Sequence, residues 1–243
     1  SANDATVALG EAIAGSEEGF VSMMNSRATE LGMTNTKFVN ATGLDAEGHI
    51  SSAHDVAIMS AELIKHELIK KYSTVWMDSL RDGESELVNT NKLVRFYEGT
   101  TGLKTGTTSG AGYCLSATAE RNGLSLVAVI MSGDTSAERF NGAKKLLDYG
   151  FANYEYASIA PKLEVNEVLV KSGVTPKIKI AAKENFGALL KKSETTAVTQ
   201  QINIKQNLTA PIKKDEPIGT ADFYLNEEMI GQVEIVATES VDK

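Results

Sequence analysis

The sequence predicts an α+β domain followed by a small all-β domain, and three observations support this. Up to about residue 156, amphipathic helical segments alternate with strand-like segments. From Pro161 onward, short alternating segments are separated by turn residues and show little helical periodicity, as in a sandwich or barrel. The 243 residues, 42% of them hydrophobic, suffice for one large or two ordinary domains. We therefore expect domains at residues 1–156 and 162–243, joined by a linker near 157–162.

Polar caps and helical periodicity predict three helices in the first domain. Ser16 precedes the first helix, which ends at Gly32, and Ser52 begins the second, whose last turn is expected to contain His66. Thr135 and Glu138 form a capping box at the start of the third. The apolar residues expected to face the core are Phe20, Met23, Met24 and Leu31 in the first helix, Val56, Met59, Leu63 and Ile64 in the second, and Phe140, Ala143, Leu146 and Leu147 in the third.

Two strands are predicted between the second and third helices. Residues 113–119 and 124–132 read as strands joined by a turn at Asn122-Gly123. Two strands followed by a long helix favour an antiparallel sheet covered by helices. In the second domain, the strand-like segments are residues 163–170, 174–182, 195–206, 220–225 and 229–237.

The composition excludes several classes of function. The net charge is −8, and Lys and Arg are scattered, so the chain lacks the basic patch that nucleic-acid binding requires. No apolar run approaches the ~20 residues that span a bilayer. A single Cys rules out an internal disulfide but leaves the compartment open. His49, His54 and His66 show no metal-ligand spacing with that Cys, so no metal cofactor is expected.

The stretch TGLKTGTTSGAGYC, residues 101–114, surrounds one lysine with glycines and hydroxyl groups. Glycine lets another backbone approach closely, and an edge strand that begins at Lys104-Thr105-Gly106 could pair with an extended peptide. Lys104 and the hydroxyls of Thr105 and Thr107 would then meet an anion or a developing oxyanion. A solvated lysine in a glycine-rich turn is the alternative, because K-T-G alone is a weak motif.

A second polar pair lies at the start of the sequence. Ser1 and Asn3 offer a hydroxyl and a carboxamide two residues apart, and in a loop both could face one cleft. The alternative is that Ser1 or Asn3 is the N-cap of a helix running from Asp4 to Ala14. Both interpretations can hold together.

S-x-N at residues 1–3 followed by K-T-G at residues 104–106 resembles the penicilloyl serine transferases. More narrowly, the chain is similar to the low-molecular-weight penicillin-binding proteins, the serine-type D-alanyl-D-alanine carboxypeptidases. The resemblance runs from residue 1 to about residue 237. It implies a β-lactamase/DD-peptidase-like domain, here without its N-terminal part, followed by a small all-β sandwich. The stretches that carry it are residues 1–16, 30–64, 89–94, 101–123, 136–151 and the β-rich tail.

The resemblance also implies roles for the polar residues. Ser1 would relay a proton to the leaving D-Ala, Asn3 would hold the substrate amide, and Lys104 would supply positive potential and tune Ser1. Thr105 would bind the terminal carboxylate of the substrate, and Arg139 would be a second contact to that carboxylate. Gly106 would allow the substrate strand to approach closely, and the backbone of Thr107 would face the substrate and the oxyanion. For Arg139 the alternative is a surface arginine near a helix N-terminus.

The nucleophile of this family is the Ser of an S-x-x-K motif, whose Lys acts as the base. The only S-x-x-K here is Ser240-Val-Asp-Lys243, which does not lie upstream of S-x-N. We therefore expect the nucleophile on a missing N-terminal segment of the same protein, and the chain alone to be catalytically incomplete. The final VATESVDK also lacks the amphipathic face of a membrane-anchoring helix, so peripheral anchoring would need an absent C-terminal segment.

The implied function is that of an exported bacterial enzyme of the cell wall, at the outer face of the cytoplasmic membrane. It would remove the terminal D-Ala from peptidoglycan stem peptides through an acyl-enzyme, be acylated by β-lactams and use no cofactor. A β-lactamase on the same scaffold is an alternative, although the all-β domain argues against it and residues 84–89 (ESELVN) are one residue out of register with E-x-x-L-N. A non-catalytic peptidoglycan-binding or scaffold protein, or an unrelated α/β plus β protein, are further alternatives.

Overall fold

The computed structural model describes residues 2–243 and divides into two compact units, Ser1–Ala152 and Asn153–Lys243. The first unit mixes helices with sheet, and the second is built almost entirely of strands. The α+β class with a following all-β domain is therefore confirmed. Within the described residues, no helix combines the length and apolar character needed to cross a membrane.

Helices and strands alternate in the first unit. The helices are α1 (Asn3–Ala14), α2 (Glu17–Glu30), α3 (Ala53–Leu63), α4 (Glu67–Ser73), α5 (Leu93–Phe96) and α6 (Ser136–Asn153). The strands are β1 (Met77–Leu80), β2 (Ser85–Val88), β3 (Thr100–Thr108), β4 (Gly112–Arg121) and β5 (Leu124–Gly133).

The predicted caps start their helices as expected. The hydroxyl of Ser16 accepts a hydrogen bond from the Gly19 amide at 3.0 Å, and that of Ser52 accepts one from the Asp55 amide at 3.1 Å. Before α6, the Thr135 hydroxyl accepts from the Glu138 amide at 3.2 Å. Each cap satisfies a backbone N–H that the first helical turn leaves without a partner.

An antiparallel sheet in the order β3-β4-β5 forms the centre of the first unit. The turn between β4 and β5 falls at Asn122-Gly123, and both residues have positive φ, as a tight hairpin turn of this kind requires. Leu93 and Phe140 bring α5 and α6 onto this sheet. The core contains the buried side chains of Leu93, Leu115, Ala117, Ala119, Ala128, Phe140, Ala143 and Leu147.

Four residues differ from their predicted positions in these helices. Met23 is 51% exposed, Leu63 38% and Leu146 50%. On α6 the buried positions follow Phe140, Ala143 and Leu147, so Leu146 lies beside the apolar stripe rather than within it. His66, expected in the last turn of the second helix, instead precedes α4 as its N-cap, because α3 already ends at Leu63.

The second unit consists of two antiparallel sheets. β6 (Tyr154–Ile159) pairs with β9 (Phe186–Lys191), and the other sheet has the order β10-β11-β12-β8-β7. Its strands are β7 (Glu167–Leu169), β8 (Lys177–Ala182), β10 (Thr199–Ile204), β11 (Pro217–Leu225) and β12 (Glu228–Ala237). Residues 157–159, placed in the predicted linker, lie in β6, since pairing with β9 satisfies their backbone. The stacked rings of Phe186 and Phe223 lie in the core of this unit.

Candidate active site

A cleft of ≈ 740 Å³ in the first unit collects most of the predicted site residues. It is lined by the N-terminal part of α1, the loop at residues 40–44, the strand β3 and α6. Ser1 lies outside the described residues, so its place in the cleft stays a prediction. The predicted residues that the structure brings together here are Asn3, Lys104, Thr105, Gly106, Thr107 and Arg139.

β3 presents the K-T-G residues along this cleft. Lys104 pairs with Ser116 and Gly106 with Cys114 on β4, and β3 is one of the two edge strands of this sheet among the described residues. The K-T-G residues lie in the middle of β3 rather than at its start, because pairing with β4 already begins at Thr100. An edge strand can pair with one more extended peptide, and Gly106 places no side chain between them.

Lys104 supplies positive charge close to the backbone of β3. Its Nζ donates a hydrogen bond to the carbonyl oxygen of Thr105 at 2.5 Å. The residue as a whole is exposed, but its ammonium group is partly desolvated. Two causes lower the pKa of Lys104 below its ordinary value: desolvation, which is the larger, and repulsion from the Arg139 guanidinium.

Thr105 points its hydroxyl at a second hydroxyl. Thr105 is 7% exposed, and its Oγ1 lies 2.6 Å from Oγ1 of Thr90. The neighbouring Thr107 hydroxyl donates to the carbonyl of Gly106 at 2.8 Å. The two threonines of the K-T-G-T sequence therefore lie in different environments: Thr105 is buried against Thr90, whereas Thr107 is exposed in the cleft.

Arg139 is a buried cation of the cleft rather than a surface residue. It is 7% exposed, and its Nη1 donates to the carbonyl of Gly106 at 3.0 Å, to the Thr107 hydroxyl at 3.1 Å and to the carbonyl of Cys114 at 3.2 Å. The guanidinium also lies 5.3 Å from the Tyr113 ring centroid and 5.0 Å from that of Phe140. The surface-arginine alternative is thus wrong, because the side chain fills the space between α6 and the sheet.

Asn3 is the first residue of α1, with Ala2 as its N-cap. The alternative in which Asn3 is the N-cap of this helix is therefore wrong, since the backbone of Asn3 is already helical. The exposed Asn3 side chain lines the cleft, where its carboxamide can accept and donate hydrogen bonds.

Asp45, which directly follows the cleft-lining loop at residues 40–44, is a residue that sequence reasoning missed. Its carboxylate accepts a hydrogen bond from the Thr108 hydroxyl at 2.6 Å and from the Gly110 amide at 3.1 Å. These two bonds lower the pKa of Asp45 below its ordinary value. They tie the loop containing Asp45 to the end of β3. Apart from the flanking Gly43 and Gly48, nothing in the sequence signals this contact.

The Asn89-Thr90-Asn91 segment is a second omission. It belongs to the stretch 89–94 that carries part of the resemblance, but the resemblance implies no role for its residues. In the structure, Thr90 reaches the K-T-G threonine and lines the cleft. Asn91, 1% exposed, donates from Nδ2 to the carbonyl of Gly102 at 2.9 Å.

Ser240 of the S-x-x-K sequence lies in the second unit, where its hydroxyl accepts a hydrogen bond from the Lys214 amide at 3.0 Å. That contact fits a structural serine. Among residues 2–243, no group of three or more His, Cys, Asp or Glu side chains is placed to hold a metal ion.

Comparison with known protein families shows to which family the chain belongs. The family model described as D-alanyl-D-alanine carboxypeptidase matches residues 1–135, and the model described as penicillin-binding protein 5, C-terminal domain, matches residues 154–243. The chain belongs to the D-alanyl-D-alanine carboxypeptidase family. The resemblance seen in the sequence is therefore confirmed.

Individual members of the family align over most or all of the chain. The D-alanyl-D-alanine carboxypeptidase DacF of Bacillus subtilis (strain 168) is 41% identical over 248 residues, covering 100% of this chain and 64% of the relative. The chain thus spans 64% of the length of this curated relative.

Solved structures of carboxypeptidase-family relatives share the fold. The crystal structure of penicillin-binding protein 5 from Haemophilus influenzae has a TM-score of 0.68 at 32% identity, covering 99% of this chain and 71% of that one. Penicillin-binding protein D2 from Listeria monocytogenes, in its cefotaxime-bound form, has a TM-score of 0.57 at 36% identity over 62% of this chain and 61% of that one.

Proposed function

We propose that the cleft binds the D-Ala-D-Ala end of peptidoglycan stem peptides, and that the whole protein removes the terminal D-Ala as a serine D-alanyl-D-alanine carboxypeptidase. One observation carries this proposal: Lys104, Thr105 and Arg139, two cations and a hydroxyl, line a single cleft beside an edge strand. Membership of the carboxypeptidase family supports it.

The substrate would enter as an extended peptide along β3. Its backbone would pair with the strand, and Gly106 would allow the close approach. The terminal carboxylate would accept a hydrogen bond from Thr105 in the positive potential of Lys104 and Arg139. A peptide that continues past this point has no carboxylate there, so this cluster would select the chain end.

The chemical step would pass through an acyl-enzyme. A serine hydroxyl gives up its proton as its oxygen attacks the carbonyl of the penultimate D-Ala. The peptide C–N bond breaks, and the leaving D-Ala amine takes up a proton. Water then hydrolyses the ester, which releases the shortened peptide and re-forms the serine hydroxyl. We propose that Ser1 relays that proton, that Asn3 holds the substrate amide and that the Thr107 backbone faces the developing oxyanion. Ser240, the serine of the S-x-x-K sequence of this chain, is not proposed as the nucleophile, because it lies in the second unit, where it accepts a hydrogen bond from the Lys214 amide.

Partners and location follow from the same chemistry. We propose that β-lactams acylate the same serine of the whole protein; the Listeria relative has been solved with cefotaxime bound. Because the substrate is peptidoglycan, the protein would work outside the cytoplasm at the cell wall, where trimming of stem peptides bears on cell shape.

A β-lactamase activity is less well supported by the geometry. The sequence nearest to a deacylating E-x-x-L-N begins at Glu84, ahead of β2, and ends at Asn89. The Asn89 side chain donates to the carbonyls of Ser73 and Val75 at 3.2 and 2.9 Å. This asparagine therefore supports the backbone instead of holding a water in the cleft.

The test is the release of D-Ala by the full-length natural protein from a tripeptide ending in D-Ala-D-Ala. We expect release, a stable penicilloyl mass adduct after incubation with penicillin, and a large loss of both in Lys104→Met. Lys145→Met, which removes an exposed lysine of α6, serves as the matched control and should leave both intact. Failure of both reactions in the unmodified protein would favour a non-catalytic binding role, and rapid turnover of penicillin would favour a β-lactamase.

A further inference from the structure

The short segment Asn89-Thr90-Asn91 holds one hydroxyl against the K-T-G threonine. Oγ1 of Thr90 lies 2.6 Å from Oγ1 of Thr105, a distance at which one hydroxyl donates to the other. Thr105 is 7% exposed, so its hydroxyl has few other partners to choose from. Both residues line the cleft.

Asn89 fixes one side of this segment. Its Nδ2 donates to the carbonyls of Ser73 and Val75, and its backbone amide donates to the carbonyl of Trp76 at 2.8 Å. Its Oδ1 in turn accepts the backbone amide of Asn91 at 2.9 Å, which closes a tight turn around Thr90.

Asn91 fixes the other side. The side chain is fully enclosed, with Nδ2 bound to the Gly102 carbonyl of β3 and Oδ1 accepting the Leu93 amide at 3.2 Å. Thr90 thus lies between two asparagines whose side chains are hydrogen-bonded to backbone groups. These bonds fix the backbone on both sides of Thr90, which keeps its side chain beside Thr105.

Only one proton can lie between the two threonine oxygens. A hydroxyl carries a single proton and can accept as well as donate. If Thr105 donates to Thr90, the Thr105 proton lies between the two oxygens and is not available to a ligand. If Thr90 donates to Thr105, the Thr105 proton can point into the cleft. A carboxylate can only accept, so an anion at Thr105 requires the second arrangement.

We infer that Thr90 is a positioning residue that orients the Thr105 hydroxyl as a donor to the terminal carboxylate of the substrate. The inference rests on the proposed function, since it needs a carboxylate at Thr105. In the chain Thr90 O–H to Thr105 O–H to carboxylate, each hydrogen bond polarises the next, and the last is charge-assisted. Thr90 need not touch the substrate to affect its affinity.

The experiment compares three variants of the full-length protein in the release of D-Ala from a peptide with a free C-terminal carboxylate. Thr90→Val keeps the shape of the side chain but removes the hydroxyl. We expect kcat/KM to fall about fivefold, as for the loss of one ordinary hydrogen bond, with most of the change in KM. Thr90→Ser keeps the hydroxyl and should restore the KM. Thr90→Ala, which lacks both the hydroxyl and the β-branch, should behave like Thr90→Val.

Thr101→Val is the matched control. It removes a hydrogen bond between two other hydroxyls, the one that Thr101 of β3 donates to Thr118 of β4 at 2.8 Å. Thr101 does not line the cleft. It should leave the KM unchanged even if it lowers stability. An unchanged KM in Thr90→Val, or a KM raised equally in Thr90→Ser or Thr101→Val, would overturn the inference. Absence of D-Ala release by the unmodified protein would instead defeat the proposed function, and the inference with it.

Discussion

The guanidinium of Arg139, on α6, donates a hydrogen bond from Nη1 to the carbonyl oxygen of Gly106, on β3, at 3.0 Å. The same nitrogen reaches the Thr107 hydroxyl and the Cys114 carbonyl. One buried cation therefore links the helix to two neighbouring strands at the point where the K-T-G sequence ends. Its charge reaches the cleft, while its hydrogen bonds hold the strand in place.

Replacing Arg139 should therefore reduce both activity and stability. In Arg139→Gln, we expect kcat/KM for a substrate with a terminal carboxylate to fall by about 10- to 100-fold, as for the loss of a charged partner. The free energy of unfolding should fall by about 1–3 kcal/mol, because Gly106 and Cys114 lose a buried donor. Arg139→Lys keeps the charge and should recover part of the activity, but its single ammonium cannot match the planar donor group. Urea unfolding and steady-state kinetics would check both effects, and unchanged kinetics in Arg139→Gln would contradict them.

Lys104 should titrate below an ordinary lysine, and Arg139 should be part of the reason. Desolvation and the neighbouring guanidinium both lower its pKa from the ordinary value of 10.5. Arg139→Gln removes the repulsion, so the pKa of Lys104 should rise; NMR titration of the Lys104 side chain measures this directly. A pKa that stays constant or falls in Arg139→Gln would contradict the electrostatic coupling.

The same shift gives stability a defined pH dependence. Because folding lowers the pKa of Lys104, the unfolded chain binds more protons than the folded chain between the lowered value and 10.5. The contribution of Lys104 to the free energy of unfolding should therefore rise with pH across that window. Denaturant unfolding at several pH values should show this slope, and Lys104→Met should lack it.

Asp45 should control the order of the loop at the mouth of the cleft. Asp45→Asn removes the charge that accepts from the Thr108 hydroxyl and the Gly110 amide. We expect faster hydrogen exchange at the Gly110 amide in the variant. Because folding lowers the pKa of Asp45, the same loosening should appear in the unmodified protein as the pH falls through that lowered pKa. Glu47→Gln changes a nearby exposed carboxylate of the same loop and should have no effect. Equal exchange rates in all three proteins would contradict the proposal.

Asp55 should be a structural carboxylate that stays ionised although its side chain is buried. Burial raises its pKa, but hydrogen bonds from the Thr36 hydroxyl, the Asn35 amide and other neighbours outweigh it, and the net pKa is lowered. Asp55→Ala should lower the melting temperature more than Asp55→Asn, which keeps an acceptor oxygen. His54→Ala, at an exposed neighbouring position, should have little effect. Because the folded pKa lies below the ordinary 3.8, the stabilisation by Asp55 should be present above that value and be lost as the pH falls through the folded pKa. Equal melting temperatures for Asp55→Ala and the unmodified protein would contradict this role.

Local signals explain why much of the fold could be predicted. Ser16, Ser52 and Thr135 act on amides three residues away, and Asn122-Gly123 adopts its turn conformation from its own backbone preferences. Such short-range interactions are visible in a single sequence. β6 and β9 were missed because their stability comes from pairing with each other across distant parts of the chain.

The site divides in the same way. Lys104, Thr105 and Gly106 form one continuous motif, and the position of Arg139 followed from a family resemblance. Thr90 and Asp45 were not predicted, because each acts through a contact with β3 that is distant in sequence. A threonine or aspartate in a loop has no distinguishing pattern until the fold shows what it touches.

The most direct test of the proposed function is a crystal structure of the full-length protein with a non-hydrolysable peptide analogue ending in D-Ala-D-Ala. We predict that the analogue lies along β3, with its terminal carboxylate within hydrogen-bonding distance, about 2.7 Å, of the Thr105 hydroxyl. Thr90 should remain bound to Thr105 on the side away from the ligand. A carboxylate bound elsewhere, or a peptide that does not approach β3, would contradict the assignment of this cleft as the site of D-Ala-D-Ala recognition.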